Sequence, residues 1–96
     1  MAKHLLTLRA TNAFRKDVRR MHKRGADLSK LNEIVELLRT QQEPPISCQD
    51  HALTGAYTGY RDCHIAPDWI LIYKIKKDAL ILVAARTGTH SDLFKK

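Results

Sequence analysis

Two apolar runs near the C-terminal end constrain this chain most. They are "DWILIYKIK" over residues 68–76 and "ALILVAART" over residues 79–87, separated only by Lys77 and Asp78. Short runs rich in Ile, Leu and Val, preceded by Pro67, predict two strands joined by a tight turn. The second is nearly apolar on both faces, so it is expected to lie centrally in a sheet covered from both sides.

The upstream residues supply the cover. "HLLTLRAT" (4–11) has the composition of a short strand. In "TNAFRKDVRRMHKRG", Phe14, Val18 and Met21 fall on one helical face, Thr11 or Asn12 can cap the start, and Gly25 suits the C-terminal cap. Arg15, Arg19, Arg20 and Lys23 occupy the other face. A second helix is expected from Asp27 as N-cap, burying Leu31, Ile34, Val35, Leu37 and Leu38. It stops near Gln42 because Pro44 and Pro45 cannot continue it. "PPISCQDHALTGAYTG" (44–59) reads as a loop with Tyr57 opening a short strand, and "YRDCHI" (60–65) reads as a strand ended by Pro67. The last residues, "GTHSDLFKK", read as a turn and one helical turn. The order β-α-α-β-β-β predicts an α+β domain spanning residues 1–96, with two N-terminal helices packed on a mainly antiparallel sheet. Helices that precede the strands, instead of alternating with them, argue against a Rossmann-like architecture.

Charge narrows the partners. Seventeen Lys and Arg against ten Asp and Glu give +7. Eight of the basic residues (Lys3, Arg9, Arg15, Lys16, Arg19, Arg20, Lys23, Arg24) fall within residues 1–27 against only Asp17 and Asp27, so +6 sits there. That surplus favours a polyanion, either nucleic acid or an acidic protein segment, over a plainly solvated helix. No apolar run approaches the ~20 residues of a membrane span, and the N-terminus lacks a signal-peptide core, so a cytoplasmic location is expected. Cys48 and Cys63 are too few for a disulfide scaffold and are expected as free thiols.

The polar residues Arg61, Asp62, Cys63, His64 and Asp68, set just ahead of the first apolar run, call for a chemical reading. Cys48, His51, Cys63 and His64 are zinc-ligand types, but adjacent Cys63 and His64 on a strand would point to opposite faces. No metal or cofactor is therefore expected. A DNA-reading helix-turn-helix is also disfavoured, since the second helix is apolar over much of its surface and carries Glu33 and Glu36. Histidine is the remaining constellation. Antiparallel pairing brings the end of 60–65, the start of 68–76 and the end of 79–87 to one sheet edge. His64, Asp68, Arg86 and His90 would then share a rim, with the 44–59 loop carrying His51 over it. Histidines, a carboxylate and an arginine suit cleavage of RNA through its own 2′-hydroxyl, with Trp69 or Phe94 available to stack on a base. The residues alone leave this enzyme reading and a non-catalytic, basic RNA- or ribosome-binding module both open.

Residues 49–94 also resemble a known family. "DHALTG" (50–55), "GYRDCHI" (59–65), "PDWILIYK" (67–74), "RTGTH" (86–90) and "LF" (93–94) closely resemble the YafQ branch of the RelE superfamily, the ribonuclease toxins of bacterial toxin–antitoxin pairs. Residues 1–43 agree in pattern only. The resemblance implies a compact α+β fold like the microbial ribonucleases and a metal-independent mRNA endonuclease acting in the ribosomal A site to inhibit translation. It implies His90 as general acid, with His51, His64 and Asp68 positioning the nucleotide and sharing the base role, and Arg86 on the phosphate. Phe94, Trp69 and Arg61 are expected in the RNA-binding wall. The implied partners are a cognate antitoxin of ribbon-helix-helix type, mRNA and the ribosome, with promoter DNA reached only through the antitoxin. Two departures stand out: Ala56-Tyr57 where relatives often carry a small residue and tryptophan, and Cys63 where alanine is common.

Overall fold

The computed structural model describes residues 5–94. The chain runs β1 (Thr7–Ala10), α1 (Asn12–Lys23), α2 (Leu28–Arg39), β2 (His51–Ala52), β3 (Arg61–Ala66), β4 (Trp69–Lys76), β5 (Ile81–Gly88) and α3 (His90–Leu93). Single 3-10 turns interrupt the loop at Ile46–Cys48 and Gly55–Tyr57. This is the expected α+β order, with three helices on a five-stranded sheet. Residue 4, where the first strand was expected to begin, and residues 95–96 lie outside the described residues.

The helix signals act as their chemistry predicts. Thr11 Oγ1 accepts from the Phe14 backbone N–H at 3.0 Å, and Asp27 Oδ1 accepts from Ser29 N–H at 3.1 Å. Both relieve N–H groups that a first helical turn leaves unpaired. Gly25 ends the α1 segment at φ +86°, a left-handed conformation that costs glycine little.

The sheet order is β1-β5-β4-β3-β2. Four strands are joined by antiparallel pairings, while β1 pairs parallel with β5 from Thr7↔Ile81 to Ala10↔Ala84. As its apolarity suggested, 79–87 gives an interior strand: β5 pairs with β1 on one side and β4 on the other, and β4 takes the middle position. The first five residues of β4 are buried, whereas burial is broken along β5, whose outer neighbour is the four-residue β1. The turn between them occupies residues 77–80, with Leu80 at φ 54°, so β5 begins two residues later than expected. The expected short strand at Tyr57 is a 3-10 turn, and a two-residue strand forms instead at His51.

Both sheet faces are packed, by different partners. Leu71, Tyr73, Cys63, Leu82 and Ala84 meet Phe14, Met21, Leu31, Val35 and Leu38 from the two long helices. Ile70, Ile72 and Ala85 meet Leu93 from α3, with Leu53, Tyr57, Tyr60 and Phe94 around them. Ile70 and Ile72 are fully buried, and each such side chain contributes about 1.5–3 kcal/mol relative to exposure. The second face is therefore anchored to the sheet yet covered only by one short helix and a loop. That thinner cover is where the polar residues gather.

Candidate active site

The β3–β4 hairpin places the first two groups. Its pairing closes at Ala66↔Trp69, so Pro67 and Asp68 form the turn, and a register shift falls between His64 and Ala66. Bulges of this kind re-aim side chains beside functional sites. The third group comes from the far end of β5, where Thr89 caps α3 through a reciprocal pair with Asp92. His90 is thereby the first residue of that helix.

The hairpin turn and α3 meet. Asp68 Oδ1 accepts from the His90 backbone N–H at 3.3 Å and from His90 Nδ1 at 3.0 Å. Those bonds hold the Asp68 carboxyl below its ordinary range. The His64 and His90 rings lie 5.5 Å apart, tilted by 39°. His64 Nδ1 donates to the Cys48 carbonyl at 3.1 Å, which fixes its tautomer because a carbonyl can only accept. A groove of about 560 Å³, lined in part by His64, Cys48, Ser47 and Lys30, runs from there toward α2.

His51 arrives from the short β2 strand, paired across from Asp62. Asp62 and His64 are two residues apart on β3 and share a face. His51 Nδ1 donates to the Gln49 carbonyl at 2.7 Å, with Asp62 Oδ1 at 3.4 Å. Asp62 is 3% exposed, and among the described residues that oxygen accepts no hydrogen bond. His51, His64, Asp68 and His90 therefore line one sheet face, as the strand pairing implied. Phe94 joins them, its ring 6.2 Å from that of His90.

Three expected site residues are placed differently. Arg86 points at α1: Nε and Nη2 contact the two Asp17 oxygens at 2.7 and 3.0 Å. Asp17 chiefly, with a smaller contribution from the Tyr57 hydroxyl, holds that guanidinium protonated. Trp69 is a correction. It is 5% exposed in the helix-side core, and its Nε1 donates to Thr87 Oγ1 at 2.9 Å, so it is no wall of the histidine face. Alternation along β4 explains this, because Trp69 shares its face with Leu71 and Tyr73, while Ile70 and Ile72 face the histidines. Arg61 is exposed and paired with Tyr73 in register, and it grips Asp50 at 2.6 Å. Tyr73 Oη donates a short hydrogen bond to the other Asp50 oxygen. Burial first, then Asp50, pushes the Tyr73 hydroxyl well above its ordinary pKa. This clamp holds the residue preceding His51.

Sequence reasoning assigned no role to Asp17, Asp50, Asp62 and Asp92. Asp17 had a signal, being the one carboxylate of α1 and sitting between Phe14 and Met21 on the apolar face. The Asp92 carboxylate pairs with Arg24 at 2.6 and 3.1 Å, which ties α3 to α1 across 68 residues, and no local pattern reveals that. Among the described residues, no three of His, Cys, Asp and Glu are grouped as metal ligands would be. Cys48 and Cys63 are buried free thiols, and burial raises that of Cys63. Among those residues no helix is long and apolar enough to cross a membrane.

Comparison with known proteins places this geometry. The family described as "bacterial toxin of type II toxin-antitoxin system, YafQ" matches residues 6–95. The mRNA interferase toxin YafQ of Escherichia coli K12 is 45% identical over 82 residues, 84% of this chain and 87% of that one. A crystal structure of YafQ from E. coli BL21(DE3) superposes with a TM-score of 0.86 at 40% identity, covering 93% of this chain and 98% of that one. The toxin within the E. coli DinJ–YafQ toxin–antitoxin complex gives 0.84 at 40% identity, covering 94% and 98%.

Proposed function

This chain belongs to the YafQ family of bacterial type II toxin–antitoxin toxins, and from that premise we propose that it is an mRNA interferase, an endoribonuclease that stops translation. It would act in the cytoplasm on mRNA in the ribosomal A site and be held silent by a cognate antitoxin. The carrying observation is the pair of facing rings, His64 and His90, 5.5 Å apart, whose Nδ1 atoms are tied to partners of different charge.

Cleavage through the 2′-hydroxyl needs two proton transfers. One group takes the 2′ proton as that oxygen attacks phosphorus, and another protonates the departing 5′-oxygen. His90 suits the donor. The Asp68 carboxylate at Nδ1 compensates the charge of an imidazolium and leaves Nε2–H free to donate. His64 suits the acceptor, since Nδ1–H donates to a neutral carbonyl and Nε2 keeps its lone pair. His51, oriented by the Gln49 carbonyl over Asp62, shares the base role or positions the ribose. Asp17 takes Nε and Nη2 of Arg86, leaving Nη1 for charge developing on the phosphate. Trp69 and Arg61 act behind the site, through Thr87 and Asp50.

The basic face of α1, where Arg15, Lys16, Arg19 and Lys23 are exposed, fits ribosomal RNA phosphates or an acidic antitoxin segment. An antitoxin of ribbon-helix-helix type would supply promoter contacts for the pair. A non-catalytic ribosome-binding module remains the competing reading, and the chemistry of the ends separates the two. Purified protein added to ribosomes programmed with a defined mRNA should release an upstream fragment ending in a 2′,3′-cyclic phosphate and a downstream 5′-hydroxyl. Intact mRNA on inhibited ribosomes would refute the enzyme reading.

A further inference from the structure

Beyond the histidines, the open sheet face carries a line of aromatic rings. Phe94, 6.2 Å from His90, meets Tyr57 at 5.8 Å and 89°, and Tyr57 meets Tyr60 at 6.5 Å and 88°. Lys74 Nζ stands 4.9 Å over the Tyr60 ring. All three rings are half-buried and rest on the Ile70–Ile72 cluster. A plain hydrophobic cap would explain the packing. It does not explain why a cation, Lys74, sits on the far ring. Half-exposed rings ending in a cation suit a single strand of RNA, which stacks bases on rings and meets charges with its phosphates.

We propose that Phe94, Tyr57 and Tyr60, with Lys74 at the end, form the subsite for the nucleotides 3′ of the cut and bias which mRNA sequences are cleaved. The side follows from the acid. His90 protonates the 5′-oxygen that leaves with the downstream fragment, and the track begins at the ring adjoining His90. Stacking tolerates any base, so preference would come from the Tyr57 and Tyr60 hydroxyls reaching base edges. Among the described residues Lys74 is held by a ring alone, so it can move onto a phosphate. This inference rests on the ribonuclease reading above.

The test maps every cut on one mixed-codon mRNA on ribosomes, with wild type, Tyr60→Ala, Tyr60→Phe and Lys74→Gln, each checked for an unchanged thermal melt. Tyr60→Ala is expected to lower kcat/KM roughly 5- to 150-fold, the range for loss of one stacked base. Tyr60→Phe should keep the rate yet broaden base usage at the position the far ring holds, beyond the first nucleotide 3′ of the cut. Lys74→Gln should raise KM and weaken the salt dependence of binding to the extent that one neutralised phosphate accounts for. If wild type cuts while all three variants keep its rate and its sites, the rings are a hydrophobic cap and the proposal falls alone. A wild type that cuts nothing removes the ribonuclease reading and this subsite together.

Discussion

One carboxylate oxygen, Asp68 Oδ1, accepts both the backbone N–H and the ring Nδ1–H of His90, at 3.3 and 3.0 Å. The hairpin turn thereby sets the position and the tautomer of a residue 22 positions away on another element. Asp68→Asn should therefore lower kcat roughly 10- to 100-fold, with KM and Tm nearly unchanged because the side chain is exposed. Single-turnover cleavage at pH 7 checks this, and wild-type kcat in the variant would detach Asp68 from catalysis.

The second tie to α3 sets a pH dependence. The Arg24 hydrogen bond, opposed by burial and aided by Thr89, holds the Asp92 carboxyl far below its ordinary range. A depressed folded pKa contributes stability that is fully present above the unfolded value, roughly 3.9, and is lost as pH falls through the folded one. Wild type should melt higher than Arg24→Ala at pH 7, with the gap narrowing as pH falls below about 4 and still incompletely closed at pH 2. Calorimetric melts across that range test it, and a constant gap would contradict it.

Arg86 and Asp17 form a pair that confounds simple mutagenesis. Arg86→Ala leaves the 1%-exposed Asp17 without its main partner. The expected cost is about 2–4 kcal/mol, below the fully buried range because the arginine side chain is 28% exposed. Adding Asp17→Asn should recover part of the stability in urea denaturation while cleavage stays low. Recovery of both would make Arg86 purely structural.

The strands, helices and caps were legible because their signals are local. Asp27 caps the turn that follows it, and the stripe of Leu31, Val35 and Leu38 repeats at the helical period. The histidine rim was legible one step further on, because hairpin pairing alone brings His64, Asp68 and His90 together. What was hidden needs long-range information. The parallel seat of β1 beside β5, which makes β5 an interior strand, has no local signal. Arg86 found a carboxylate 69 residues away, and Trp69 turned into the helix-side core through the alternation of its strand. The type of Trp69 suggested a stacking wall, and the face it occupies decided otherwise.

Charge on α1 should appear as salt dependence. Arg20 and Arg24 already serve Asp17 and Asp92, so the informative changes are at Arg15, Arg19 and Lys23. Converting these three to Gln should reduce the salt slope of ribosome binding by about 0.7–0.9 for each phosphate no longer neutralised. Arg61→Ala should leave that slope unchanged and reduce kcat, because it loosens the Asp50 clamp before His51. A slope unaffected by the triple change would mean a merely solvated face.

The central claim is that His90 transfers a proton in cutting mRNA on the ribosome. Primer extension on a reporter mRNA after brief induction, comparing wild type with His90→Ala, tests it most directly. The account predicts discrete new 5′ ends in one codon phase with wild type and none with a variant that still folds. The same ends at the same rate in both, or growth arrest without new ends, would contradict it.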